Sequence, residues 1–325
     1  MMISRRGLAA IPFLSAGAAQ AQAPAQAFPT RPIRLLLPQP PGSANDVVAR
    51  IISEPMGRAL GQPVVVDNRP GANGMVAING LKQQAPDGYT LLMPGVSQLS
   101  FNPFLYPNLT YDAATDFTFV APASDAPFIL LASKKSGITS VAELLRRARA
   151  EPGRLTYASA GIGNSTHLSM EMLADRAGVS FTHVPYGGTA AALTSVITGE
   201  TDVMILVLAV ALAQVRAGAV TPLAMVSAQR LPVLPDVPTQ AEAGIDAPVM
   251  PGWFAIVGPA GMPAPVVNQL NAAVRTALAD ETVQKRLADN LLIAWSGSPA
   301  DLQARMASDS QVWGEFIRRR GLRPE

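Results

Sequence analysis

The sequence predicts an α/β protein of two lobes, with mainly parallel sheets flanked by helices. Three observations predict it. Short apolar runs alternate with amphipathic stretches, the pattern of repeated strand and helix units. The chain has 325 residues, and a single hydrophobic core stops growing at roughly 250–300. No internal repeat or low-complexity linker divides it, so the two lobes are expected to share a chain that crosses between them more than once.

In chain order, residues 1–27 have the form of an export signal. Arg5 and Arg6 open it, Leu8 to Ala19 is apolar, and Ala-Gln-Ala stands at 19–21 and again at 25–27. Cleavage is expected after Ala21 or Ala27, and the arginine pair also permits a twin-arginine signal. The apolar run is too short to span a bilayer, which takes roughly 20 residues.

Ile33 to Leu37 reads as the first strand, and Asp46 to Leu60 as the helix after it. Ser43-Ala-Asn-Asp46 has the form of a capping box, a hydroxyl followed three residues later by a carboxylate. Strands are expected at Val64 to Val66, Tyr89 to Met93, Phe119 to Pro122 and Phe128 to Ala132. Ser140-Val-Ala-Glu143 is a second box, opening a helix from Val141 to Ala150. Strand and helix then alternate: Leu155 to Ala158, Thr166 to Ala177, Phe181 to Val184, Ala190 to Thr198, and Asp202 to Val207. The run "VMILVLAVALA", Val203 to Ala213, stops at Gln214 and Arg216, short of a membrane span, and reads as a buried strand entering a helix. Leu223 to Val226 and Trp253 to Val257 are the last strands; Pro265 to Leu292, as one helix or two, and Asp301 to Arg319 close the chain.

Composition excludes several functions. The chain carries 25 basic and 23 acidic residues, and the expected signal removes two arginines and no acid, so the mature charge is balanced. That gives no support for a nucleic-acid partner, and Arg318-Arg319-Arg320 reads as the solvated end of a helix. With no cysteine there is no disulfide, thiolate nucleophile or thiolate-bound metal. His167 and His183 are the only histidines, lie on different elements and have no partner at ligand spacing, so no metal site is expected.

Residues 157–168, "YASAGIGNSTHL", resemble half of several motifs. Gly-x-Ser-x-Gly is absent, and Ser165 and His167, two apart on a helix, point to different faces. Gly161-Ile-Gly163 lacks the third glycine of a dinucleotide fingerprint, and no Gly-Lys-Ser/Thr follows. What remains is a strand, a glycine turn and a helix N-terminus rich in Asn164, Ser165 and Thr166. Free N–H groups and the positive end of the helix dipole suit a small anion there, carboxylates included, while ordinary capping by Asn164 explains the same residues. "PQPPGSAND", residues 38–46, repeats the pattern after the first strand. Two such N-termini in different halves of the chain are expected to face each other across a crevice at strand ends. Asp46 has two readings, as the acid of the capping box or as a ligand contact.

These stretches, with "PQPPGSANDVVAR" (38–50), "VVVDNRPGANGMVA" (64–77), "APDGYTLL" (85–92), "YASAGIGNSTHLSMEML" (157–173), "HVPYGGTAAALTSVITGETDV" (183–203) and "LPVLPDVPTQAEAG" (231–244), together resemble the Bug family of periplasmic solute-binding proteins of tripartite tricarboxylate transporters. The resemblance implies a type II-like Venus flytrap that encloses a carboxylate-bearing ligand, with residues 28–126 and 228–325 in one lobe and 127–227 in the other. The implied ligand loops are Pro41, Gly42, Ser43, Ala44, Asn45 and Asp46, then Ser159, Ala160, Gly161, Gly163, Asn164, Ser165 and His167. Ser97 and Asn102 approach the same crevice, and Tyr186, Leu206 and Val207 belong to its distal side. His167 either packs beneath its loop or faces the ligand.

The sequence departs from the family pattern at three places. Gly42-Ser43 stands where the family has Gly-Gly, so a side chain is placed to cap the helix or narrow the site; Gly187 follows Tyr186 where Lys is common; and Ile205 to Leu208 offers no acid or amide near the ligand's distal end. Without that acid, a ligand ammonium would be buried unpaired. A carboxylate with an apolar or aromatic body is therefore expected, in place of an amino acid. The resemblance further implies a periplasmic, non-enzymatic monomer without cofactor or metal, serving the permease subunits of such a transporter. A periplasmic enzyme acting on a similar acid and a receptor for a sensor kinase are the alternatives.

Overall fold

The computed structural model describes residues 28–323; the expected export signal, residues 1–27, lies outside the described residues. The chain lays down β1 (Ile33–Leu37), α1 (Ala44–Leu60), β2 (Val64–Asn68), α2 (Met75–Lys82), β3 (Thr90–Leu92), a π turn (Ser97–Phe101), α3 (Asn102–Leu105) and β4 (Phe117–Asp125). It then crosses to a second sheet, with β5 (Phe128–Ser133), α4 (Val141–Ala150), β6 (Thr156–Ser159), α5 (Ser165–Ala177), β7 (Thr182–Pro185), α6 (Thr189–Thr198), β8 (Val203–Val207), α7 (Leu208–Arg216) and β9 (Val220–Val226). It returns through β10 (Trp253–Pro259), α8 (Ala264–Ala279), α9 (Glu281–Asp289), β11 (Ile293–Ala294) and α10 (Pro299–Arg320).

Strand order is β11-β4-β10-β3-β1-β2 in the first sheet and β7-β6-β8-β5-β9 in the second. The two-lobed α/β architecture matches expectation, but the sheets are mixed and not mainly parallel. β1 pairs in parallel with β2 and β3, and β6 with β7 and β8, as strand-helix-strand units require. β10 runs antiparallel to β3 and β4, and β5 antiparallel to β8 and β9. β5 and β10 enter their sheets from the crossing side, against the direction set by the helical crossovers.

The local chemistry of the helices explains their bounds. α1 buries Val48, Ile52 and Met56 against the face of α8 carrying Leu270 and Val274, and ends at Gly61 with φ 72°. The expected capping boxes form by half. Asp46 N–H and Glu143 N–H donate to Ser43 Oγ and Ser140 Oγ, but the two carboxylates turn to Gly42 N–H with Arg50, and to Arg146 with Arg147. A complete box stands instead at Ser298 and Asp301, opening α10. Pro265 to Leu292 resolves as two helices, because Asp280 leaves the helical region (ψ 123°) and its carboxylate caps α9.

The crossings set the crevice. β4 ends at Asp125 and β5 begins at Phe128. On the return, Thr239 bridges Met225 and Val237 is buried against the second sheet, so the chain stays packed on that sheet as far as about Gln240. The two passages touch: Ala126 N–H donates to Gly252 O, and a Cβ at Gly252 would stand 2.1 Å from Ala126 O. Only glycine fits there. α10 also reaches the second lobe, where Arg319 pairs with Asp175 at 2.7 Å and Arg320 with Glu171 at 3.5 Å.

Candidate functional site

Two chambers lie between the lobes and share Gln39, Gln98, Asn164 and Thr189. The inner one, of ≈ 30 Å³, is walled by Phe128, Val207, Val210, Trp253, Phe254 and Val96, with Ala44, Ser97, Ser165 and Thr166. The outer one, of ≈ 320 Å³, opens past Pro40, Asn73, Ala160, Gly161, Tyr186 and Gly188. No lining residue of either chamber is Asp, Glu, Lys, Arg or His.

Four helix N-termini supply the polar character instead. α1 and α5 are capped by Ser43 and Asn164, whereas α6 and α7 have no side-chain cap; Leu208 N–H of α7 donates to Pro127 O, leaving first-turn N–H groups at Thr189 and after Leu208. The lobes meet in this geometry: Ser165 N–H, on α5, donates to Ser97 Oγ, in the π turn of the other lobe, at 3.2 Å.

The sequence-derived candidates separate into three groups. Ala44, Ser97, Asn164, Ser165 and Val207 line the inner chamber; Ala160, Gly161, Tyr186 and again Asn164 line the outer one. Pro41, Gly42, Ser43, Asn45, Asp46, Asn102, Ser159, Gly163, His167 and Leu206 line neither.

The last group is engaged elsewhere. Ser43 caps α1, the helix-capping role open to it at the family's Gly-Gly position. Asn45 donates to Met93 O at 3.0 Å. Burial alone would raise the Asp46 carboxyl, but bonds from Arg50, Gly42 N–H and Asn68 outweigh it and hold the group below the usual carboxylate range. Asn102 donates to Tyr111 Oη and accepts from Asn73. Leu206 lies in the second lobe's core and Gly163 packs against Leu105.

His167 takes the first of its two readings and lies beneath the loop. It is buried, and its Nδ1 accepts from Gly163 N–H at 3.2 Å. His183 Nε2 lies 2.6 Å from Ser159 Oγ, a serine-histidine contact that sequence spacing did not show. Ser159 is fully buried and borders neither chamber, so no ligand in them meets its hydroxyl.

Burial pushes both histidines down to about 4, aided at His183 by the neighbouring His167. The sign of the consequence is fixed. Between their ordinary value of about 6.5 and 4, the unfolded chain binds protons that the folded chain refuses, so stability falls as pH falls through this window and is flat above it. For His167 alone the slope approaches about 1.4 kcal/mol per pH unit. Thermal unfolding should show a clearly lower Tm at pH 5 than at pH 7; equal values would mean the rings titrate as if in water.

Gln39, Gln98, Phe128, Thr189, Val210, Trp253 and Phe254 were not found from sequence. Gln98 is already spent on Gly95 N–H and Asn73 O and Asn164 on Thr166 N–H, so among the described residues Gln39 and Thr189 are the uncommitted side chains at the junction of the chambers. The only available signal was that Phe128 and Trp253 are the first residues of strands beside the crossings.

A family model described as tripartite tricarboxylate transporter family receptor matches residues 48–322. The chain is 35% identical over 307 residues to a UPF0065 protein of Bordetella pertussis, covering 94% of this chain and 95% of that one. It superposes on the solved structure of R. palustris Rpa4515 with adipate at a TM-score of 0.87 and 32% identity, covering 91% of this chain and 100% of the other. MatC (Rpa3494) from Rhodopseudomonas palustris with bound malate gives a TM-score of 0.84 at 32% identity, covering 89% and 100%.

Proposed function

We infer the function from kinship: this chain belongs to the tripartite tricarboxylate transporter receptor family. It is a periplasmic solute-binding receptor for a small carboxylate. The ligand lies in the crevice between a lobe of residues 28–126 with the chain after about residue 240, and a lobe of the residues between. Its carboxylate is received by the helix N-termini of the junction, where Asn164, Ser165, Gln39 and Thr189 surround it. The closed form is handed to permease subunits by a monomer whose signal peptide has been removed, and no reaction is catalysed.

One observation carries the ligand class: the first-turn residues Ala44, Ser165, Thr189 and Val210 of four helices line chambers that hold no charged side chain. Such a site stabilises one carboxylate through N–H groups and leaves an ammonium without a partner, which is costly to bury. Aromatic and aliphatic carboxylates are therefore expected to raise the Tm, and the matching α-amino acids are not. At a hundredfold excess over Kd the stabilisation is about 2.7 kcal/mol, or roughly 5–10 °C. An amino acid that stabilises more than its deaminated counterpart would overturn the ligand class, and consumption of the acid during incubation would overturn the receptor reading.

A further inference from the structure

A stack of three rings lies beneath the glycine loop that borders the outer chamber. His183 stacks on Tyr157 with ring centroids 4.7 Å apart and on His167 at 4.3 Å. These two histidines are the chain's only ones. They come from α5 and β7, so the fold and not the local sequence joins them.

The imidazole nitrogens point at the loop. His167 Nδ1 accepts from Gly163 N–H at 3.2 Å. His183 Nε2 lies 2.6 Å from Ser159 Oγ, and Ser159 Oγ accepts from Gly161 N–H at 3.2 Å. Gly163 N–H is thus fixed by a ring directly, and Gly161 N–H by Ser159, whose hydroxyl the His183 ring orients. A backbone bond from Asn164 N–H to Gly161 O at 3.2 Å closes the loop, and within it Gly161 and Gly163 sit at φ 123° and 76°, among many conformations open to glycine. The loop's placement also sets the fit between the lobes, since a Cβ on Gly163 would come within 2.8 Å of Leu105 Cδ1.

We propose that His167 and His183 are positioning residues of the ligand site, holding the Gly161–Gly163 loop in its receiving shape only while both rings are neutral. The proposal rests on the carboxylate reading of the crevice for its purpose, and on the ring-to-loop bonds for its mechanism. A proton on His167 Nδ1 puts a donor opposite the Gly163 N–H donor and breaks that bond. A doubly protonated His183 donates to Ser159 Oγ, which keeps a second lone pair for Gly161 N–H, so its effect comes through the stack, where two cations with centroids 4.3 Å apart repel.

The surrounding charges do not cancel this. On α5, Glu171 accepts from Tyr157 Oη at 2.7 Å and also pairs with Arg320 of α10; Asp175, one turn further, is held by Arg319 and Arg320. β6 contributes Tyr157, whose hydroxyl burial keeps protonated, and from across the crevice the loop meets Tyr106, whose hydroxyl burial likewise favours in the neutral form. Both carboxylates that α5 brings towards the stack are therefore already engaged.

Amide hydrogen exchange of the full-length protein tests the proposal without any ligand, so its failure is distinct from failure to bind a carboxylate. At pH 7, His167→Ala is expected to speed exchange of Gly163 N–H by about tenfold, the loss of one hydrogen bond. His167→Asn, which offers an acceptor near the Nδ1 position, is expected to restore protection. In the wild type, exchange of Gly161 and Gly163, corrected for its intrinsic pH dependence, is expected to accelerate on acidification with a midpoint near 4. The Leu131 amide, in the buried strand β5, serves as the internal control for global opening: it follows the fall in stability, and the loop amides are expected to accelerate beyond it. Unchanged Gly163 exchange in His167→Ala, a flat wild-type profile, or equal acceleration at Leu131 would each overturn it.

Discussion

Gly163→Val is expected to weaken carboxylate binding by about a hundredfold while both lobes remain folded. Gly163 has φ 76°, where a residue with a Cβ is strained by roughly 1–2 kcal/mol. A Cβ there would also stand 2.8 Å from Leu105 Cδ1 and 3.5 Å from Asn73 Nδ2, both on the opposite lobe. The strain burdens every form of the protein, but the contact burdens only the closed one. A ligand bound through closure must then supply the difference, and about 2.8 kcal/mol amounts to a hundredfold in Kd. Gly153→Ala is the control, with the same kind of strain at φ 77° and nothing within 4 Å of its Cβ, so its affinity should equal the wild type's. Calorimetric titration with a carboxylate that stabilises the wild type measures both. Gly163→Val binding within threefold of wild type would show that ligand is held without this contact between the lobes.

Much of the fold was legible because it is written locally. Apolar runs and hydroxyl caps placed all ten expected strands and located α1, α4, α5 and α6 within two residues of their observed starts. What escaped is set by distant partners. α2 follows Ala72 and Asn73, both at positive φ, with no side-chain cap to announce it. The strand senses of β5 and β10 depend on which side the chain enters each sheet. The capping serines were found, but Asp46 and Glu143 had better offers from arginines one turn away than from the cap N–H.

The site shows the same division. "PQPPGSAND" and "YASAGIGNSTHL" pointed to two helix N-termini, and Ala44, Asn164 and Ser165 from them do line the inner chamber. The same stretches also contributed Asn45, Asp46 and His167, whose polar groups turn to Met93 O, Arg50 and Gly163 N–H. A loop sequence lists its donors without saying which way each faces. The opposite wall comes from Phe128, Trp253 and Phe254, brought together only by the crossings, and no local pattern distinguishes them from core residues of any strand.

Trp253→Ala is expected to cost about 3–5 kcal/mol of stability, as removal of a buried tryptophan does, and to lower the Tm by roughly 10 °C. Trp253 is 1% exposed, packs edge-on to Trp295 at 6.3 Å, and starts the strand that re-enters the first sheet. Its Nε1–H donates to Asp309 Oδ2 at 2.7 Å, directing its one polar group away from the chamber into α10. Trp253→Phe separates the two contributions. The phenyl ring keeps an apolar wall, so carboxylate affinity should stay within a few fold, but Asp309 loses a donor while Arg305 remains at 3.1 Å. Burial already raises the Asp309 carboxyl above its ordinary range, against the lowering effect of Trp253 and Arg305. A raised folded-state value means the native form takes up its proton first on acidification, so the penalty of an ionised, under-bonded Asp309 appears as pH rises. The stability gap between wild type and Trp253→Phe should therefore be larger at pH 7 than at pH 4, by denaturant titration at both. A gap independent of pH would mean that the loss is one of ring packing alone, and that the indole N–H does not stabilise the Asp309 carboxylate.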